Sequence, residues 1–82
     1  MTRFEFNILP HRHKCDIVFS SGKFIHAINT EDVKTAVYSV ALFFVEVIYD
    51  EEGKEVVGFH SFEDGFLLYR YARSISAALK DK

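Results

Sequence analysis

The chain is poor in the residues that cross-link or interrupt a fold, with one cysteine, one proline and four glycines among 82 residues. A lone Cys15 excludes an intrachain disulfide and favours a reducing compartment or a buried thiol. The strongest apolar run, residues 40–45, ends at Glu46 and is too short to span a membrane. Residues 2–7 lack the long apolar run of a secretory signal. We therefore expect a cytoplasmic protein with no membrane contact.

Familiar catalytic and cofactor-binding motifs are also missing. The sequence has no glycine-rich phosphate-binding loop, no HExxH, no paired CxxC and no Gly-x-Ser-x-Gly. The net charge is −2, and basic ends flank an acidic stretch over residues 29–65. Nucleic-acid-binding proteins normally carry a broad basic patch, so we do not expect nucleic acid as a partner. We expect no cofactor and favour a non-enzymatic protein.

Aromatic residues, in contrast, are abundant. Nine phenylalanines and four tyrosines make up 16% of the chain. Residues 1–82 fit one domain, and a domain this small buries only part of its surface. Each buried ring removes roughly 150–250 Å² from water, so thirteen rings exceed what the core readily hides. Exposed apolar patches usually mark interfaces, and we therefore expect a homodimer, with a second protein partner left open.

The alternation of side chains predicts one α+β domain, in which an antiparallel meander of about five strands is packed by a C-terminal helix. Ser21-Gly22 separates two β-rich runs and predicts a hairpin. Asp50-Glu51-Glu52-Gly53 predicts a second turn. The predicted strands are residues 2–9, 14–20, 23–28, about 34–49 and 54–62, with Pro10 after the first and a turn at 29–32.

Residues 30–40 allow a second interpretation. Thr30 followed by two acids is typical of a helix N-cap and first turn, and the apolar spacing that follows fits a helix. The same stretch is rich in Val and Tyr, which favour strands. We prefer the strand. The alternative is an extra short helix at 30–40, which would give a two-helix α+β sandwich.

Residues 61–78 predict the C-terminal helix, with Ser61 as a possible N-cap. Its apolar stripe includes Leu68, Ala72 and Ile75. We expect this stripe to cover the sheet face that carries Val45 and Phe59, so that both of these residues are buried.

A first candidate site combines histidine and cysteine. In an extended strand, His11, His13 and Cys15 would share one face, and the predicted hairpin adds His26 to that face. Imidazole and thiolate ligands suit zinc or copper. Metal binding is therefore an alternative function. The competing interpretation is two solvated histidines beside a small core cysteine.

A second candidate is the pair Glu46 and His60, which the predicted register places diagonally on one sheet face. A carboxylate beside an imidazole can orient it as a base. A small ligand-binding protein or enzyme is thus a further alternative, although no nucleophile is placed beside the pair.

The leading interpretation is a small interaction or regulatory module that acts as a homodimer. The sheet face away from the predicted helix still carries Phe44 and Ile48, whereas a solvated face should be polar. Tyrosine and arginine are favoured at interfaces. The predicted interface residues are Phe44, Ile48, Tyr49, Phe66, Tyr69, Arg70 and Arg73.

Overall fold

Residues 1–63 are described by a computed structural model of the chain. Two helices precede a four-stranded sheet: α1 (Arg3–Asn7), α2 (His11–Ser21), β1 (Lys23–Asn29), β2 (Lys34–Val40), β3 (Phe43–Tyr49) and β4 (Val56–Phe62). The strands are antiparallel, in the sheet order β1-β2-β3-β4. The predicted α+β class and antiparallel meander are confirmed. The prediction of five strands is wrong, because two predicted strands are helices and a third is two strands.

Residues 2–9 form helix α1 rather than a strand. The Thr2 hydroxyl accepts a hydrogen bond from the Glu5 backbone N–H at 3.1 Å, and the Glu5 carboxylate accepts one from the Thr2 N–H at 2.8 Å. This capping box is a helix signal, which the alternation of apolar residues concealed. The helix separates an exposed Phe4 from a fully buried Phe6, whereas a strand would place both on one face.

Helix α2 replaces the second predicted strand, and the predicted hairpin at Ser21-Gly22 is wrong. Pro10 has an extended backbone, and its carbonyl accepts the first helical hydrogen bond from the Lys14 N–H at 3.0 Å. Gly22 ends the helix by donating to the Val18 carbonyl at 3.0 Å. A Cβ at Gly22 would clash with that carbonyl oxygen. The glycine is therefore needed for close packing where a helix meets a strand.

The predicted long strand over residues 34–49 is two strands, β2 and β3, joined by Ala41 and Leu42. Ala41 has a φ of 51°, a left-handed conformation that costs a residue with a Cβ roughly 1–2 kcal/mol. No Gly, Asn or Pro marks this turn, so sequence patterning could not find it. The alternative helix over residues 30–40 is also wrong, because residues 34–40 form β2.

Strand β4 follows the predicted turn, but its register differs from the predicted one. Val47 pairs with Phe59, two residues beyond its predicted partner Val57. One residue of this shift arises at the turn, since Tyr49 pairs with Val56 instead of Glu55, and the other arises from a bulge at Val57. Val57 is consequently exposed, and Val56 packs against the buried cluster that includes Val45 and Val47.

The predicted C-terminal helix cannot begin at Ser61, which lies in β4. The remainder of that prediction, including Leu68, Ala72 and Ile75, lies outside the described residues, since the described chain ends at residue 63.

The main core lies between the two helices and one side of the sheet, here called the first face. Its buried members are Phe6, Val18, Val40, Phe43, Val45 and Val47. Val45 is buried, as expected, but helices α1 and α2 provide its cover. Phe59 is half-buried at the edge of this core, with its ring centroid 6.0 Å from that of Phe6.

The opposite side of the sheet, the second face, carries a smaller apolar cluster mixed with polar residues. Val37 and Phe62 are buried there, with Ile28 and Phe44 packed against them. The pairing of the strands adds His26, Thr35, Glu46, Ile48 and His60 to this face.

Candidate functional site

The four predicted metal ligands do not converge. His11, His13 and Cys15 lie on α2, where residues two apart point roughly 200° away from each other. The His11 ring rests on Phe59, with centroids 5.3 Å apart, while His26 lies on β1 on the second face. In the described chain, no three His, Cys, Asp or Glu side chains are grouped to hold a metal ion. The strand geometry on which this site was predicted is wrong.

Glu46 and His60 are direct partners in the pairing of β3 with β4, rather than diagonal neighbours. Glu46 is buried, whereas His60 is exposed and its ring centroid lies 6.2 Å from that of Phe62. Ser61 lies on the first face and donates to the side-chain oxygen of Asn7. The sheet therefore separates this hydroxyl from His60, and Ser61 cannot serve the pair as a nucleophile.

The predicted interface residues that the structure describes lie on both faces of the sheet. Phe44 and Ile48 are half-buried on the second face, and Tyr49 is half-buried on the first. Four others lie outside the described residues: Phe66, Tyr69, Arg70 and Arg73. The second face is also less open than its sequence suggested, because Val37 is fully buried. The exposed apolar surface has to be sought elsewhere.

Three exposed apolar side chains, Phe19, Phe24 and Ile25, flank the junction between α2 and β1 and are here called the apolar corner. Phe24 is 58% exposed and Phe19 is 48% exposed. Both rings contact Tyr38, with centroids 5.7 Å and 5.6 Å from it. A contiguous exposed aromatic patch of this kind is typical of a contact surface.

Strand β1 borders the apolar corner and is an edge strand of the sheet formed by residues 1–63, with β2 as its neighbour. An edge strand offers a row of backbone donors and acceptors to another strand. Its ladder with β2 is regular from His26 to Asn29, and the bulge at Ile25 interrupts it. The regular half of the edge is therefore the part suited to pairing.

Opposite charges lie near the two ends of β1. Lys23 begins the strand, while Glu31 and Asp32 lie in the loop after it. All three are exposed, and they make no ion pair with any other residue of the described chain. Within residues 1–63, therefore, no ion pair neutralises the charges at either end of β1.

A cavity of about 320 Å³ lies on the β1–β2 half of the first face. Its described lining includes Phe24, Ala36, Tyr38 and Tyr49. Burial, followed by the neighbouring Tyr38, raises the pKa of Tyr49 above its ordinary value. Of these residues only Tyr49 was singled out from the sequence, because the cavity depends on a sheet order that patterning did not predict.

Comparisons with known proteins found no family model, no curated protein and no solved structure that matches this chain. No helix within residues 1–63 has the length and apolar character needed to cross a membrane.

Proposed function

We propose that the protein is a small non-enzymatic interaction module that acts as a homodimer, joined by antiparallel pairing of two β1 strands. The observation that carries this proposal is the edge of β1 beside the exposed apolar corner. Strand addition pairs backbone groups across the interface. It also brings apolar side chains at the edge into contact with the partner, which removes them from water.

Charge favours a second copy of this chain as the partner. Antiparallel pairing centred on Ala27 brings the start of one β1 beside the loop that follows β1 in the other copy. Lys23 of each copy then approaches Glu31 and Asp32 of the other, and two-fold symmetry repeats the contact. Exposed ion pairs contribute little affinity, but complementary charge fixes the register of pairing.

The bulge at Ile25 limits the regular part of the new ladder to His26–Asn29. A short ladder implies a dimer that dissociates on dilution. The single free cysteine, Cys15, supports a reducing compartment such as the cytoplasm.

Charge reversal tests the proposal, with mass measured by light scattering over a range of concentrations. Lys23→Glu should weaken the dimer by about tenfold, because it places like charges at both ends of the ladder. The double variant Glu31→Lys/Asp32→Lys should weaken it in the same way. An equimolar mixture of the two variants should dimerise again, since the swapped charges attract.

Arg12→Glu provides the matched control, because Arg12 is exposed on α2 and changes the net charge equally. It should leave the dimer unchanged. A wild-type protein that stays monomeric at every concentration would refute the proposal. So would a dimer that tolerates both charge reversals.

A further inference from the structure

Two small residues and three aromatic rings line the cavity on the first face. Ala27 and Ala36 are cross-strand partners and form a floor with little side chain. Aromatic rings rise around it: Phe24 and Tyr38 meet edge to face, with centroids 5.7 Å apart and planes at 74°, and Tyr49 lines another wall. A volume of about 320 Å³ is at the lower end of ligand pockets, which run from roughly 300 to 1,000 Å³.

The rim of the cavity carries the positive charge of Lys34, which no carboxylate within residues 1–63 pairs. Lys34 lies over Gly53, its Cδ 3.2 Å from where a Cβ would stand. Its ammonium donates to the Thr30 carbonyl at 2.8 Å and has no carboxylate partner among the described residues. Glu52, also on the rim, is paired with Lys54 at 3.5 Å. The rim therefore favours an anion.

A second polar group lies beside Lys34. Asn29 is its cross-strand partner, is exposed, and makes no side-chain hydrogen bond with another described residue. An ammonium and an amide on adjacent strands can both donate to one carboxylate.

We propose that this cavity is a binding site for a small aromatic carboxylate, with the ring on the Ala27–Ala36 floor and the carboxylate at Lys34 and Asn29. The rings of Phe24, Tyr38 and Tyr49 contact the ligand at its edges, an arrangement that aromatic pairs prefer. All the residues named for this site belong to one copy of the chain, so the site is complete in the monomer as well as in the proposed dimer.

The probe is 2-naphthoate, titrated into the full chain while amide and side-chain NMR shifts are followed. Shifts should concentrate on residues that line the cavity. The cationic counterpart 2-naphthylmethylamine should bind at least about tenfold more weakly, because its ammonium group is repelled by the ammonium group of Lys34. Lys34→Met should lower naphthoate affinity by about tenfold or more, while Arg12→Met, a change at an exposed cation on α2, should leave it unchanged.

Ala27→Leu tests the floor without a buried substitution, because Ala27 is exposed. It should abolish naphthoate binding while the spectrum of the remaining chain stays folded. The titration is repeated on Lys23→Glu, the dimer-weakening variant, which should bind naphthoate as the wild type does. Absence of localised shifts, equal binding of amine and carboxylate, or unchanged affinity in Lys34→Met or Ala27→Leu would overturn the site.

Discussion

Phe4 and Phe6 give the sharpest test of how the chain begins to fold. In a strand these two rings would share one face, and truncating either should have a similar effect. In helix α1 they point to different sides, so that Phe6 is 0% exposed and Phe4 is 70% exposed. We therefore expect unequal effects from the matched substitutions Phe4→Ala and Phe6→Ala.

The magnitudes follow from what each ring contacts. The Phe6 ring lies 5.6 Å from that of Phe43 and 6.0 Å from that of Phe59, and its truncation should cost about 3–5 kcal/mol. The free energy of unfolding of a domain of 82 residues is about 4–12 kcal/mol, at roughly 0.05–0.15 kcal/mol per residue. Phe4 contacts the Arg3 guanidinium, 5.1 Å from its ring centroid, a contact worth up to about 1 kcal/mol when exposed.

Since Phe6→Ala is expected to leave little stability, the leucine pair Phe4→Leu and Phe6→Leu makes the comparison quantitative. Urea unfolding followed by far-UV circular dichroism is the assay. Phe6→Leu should cost about 1–2 kcal/mol and lower the midpoint by roughly 1–2 M, at a slope near 1 kcal/mol per M. Phe4→Leu should shift it by less than about 0.5 M. Equal shifts would refute helix α1 and restore the strand.

Three further predictions concern other parts of the fold. Ala41→Gly should raise the free energy of unfolding by about 0.5–1 kcal/mol by relieving the positive φ; a melting temperature that falls would contradict the turn. Hydrogen bonds from the Thr2 backbone and then its hydroxyl lower the pKa of Glu5 from an ordinary 4.5. The stabilisation that ionised Glu5 gives the folded state is present above pH 4.5 and is lost as the pH falls through the lowered pKa. Glu5→Gln should therefore flatten the acid side of a plot of melting temperature against pH. An unchanged plot would argue against the capping box. Stoichiometric zinc should not shift the melting temperature, because α2 turns His13 away from His11; a stabilisation that Cys15→Ser removes would restore the metal hypothesis.

The antiparallel meander and the turn before β4 were predictable from sequence because strand alternation and turn residues are local signals. Gly53 occupies the left-handed region, with φ 71°, which is the usual reason for a glycine in a turn. Helix α1 was missed because it has only five residues, too few for a helical period to outweigh alternation. Ala41 was missed because its strain is imposed by the strands on either side of it.

The candidate sites, too, were predictable only where they depend on local side-chain alternation. Glu46 and His60 share a face in both the predicted and the observed register, because a shift of two residues keeps side chains on the same side. The predicted His–Cys cluster is not formed, because its residues lie on a helix. Side chains return to the same face every 3.6 residues in a helix, instead of every 2 residues as in a strand. The β1 edge was hidden from sequence for a topological reason. β1 becomes an edge of the described sheet only once residues 14–20 form α2 instead of pairing with it.

Amide hydrogen exchange at β1 tests the proposed homodimer most directly. It is measured at protein concentrations below and above the dimer transition, with β4 as the internal reference for the other edge of the described sheet. The proposed pairing predicts that amides of residues 26–29 gain protection at high concentration while those of β4 do not. Protection that is independent of concentration at β1, or that appears at β4 instead, would contradict it.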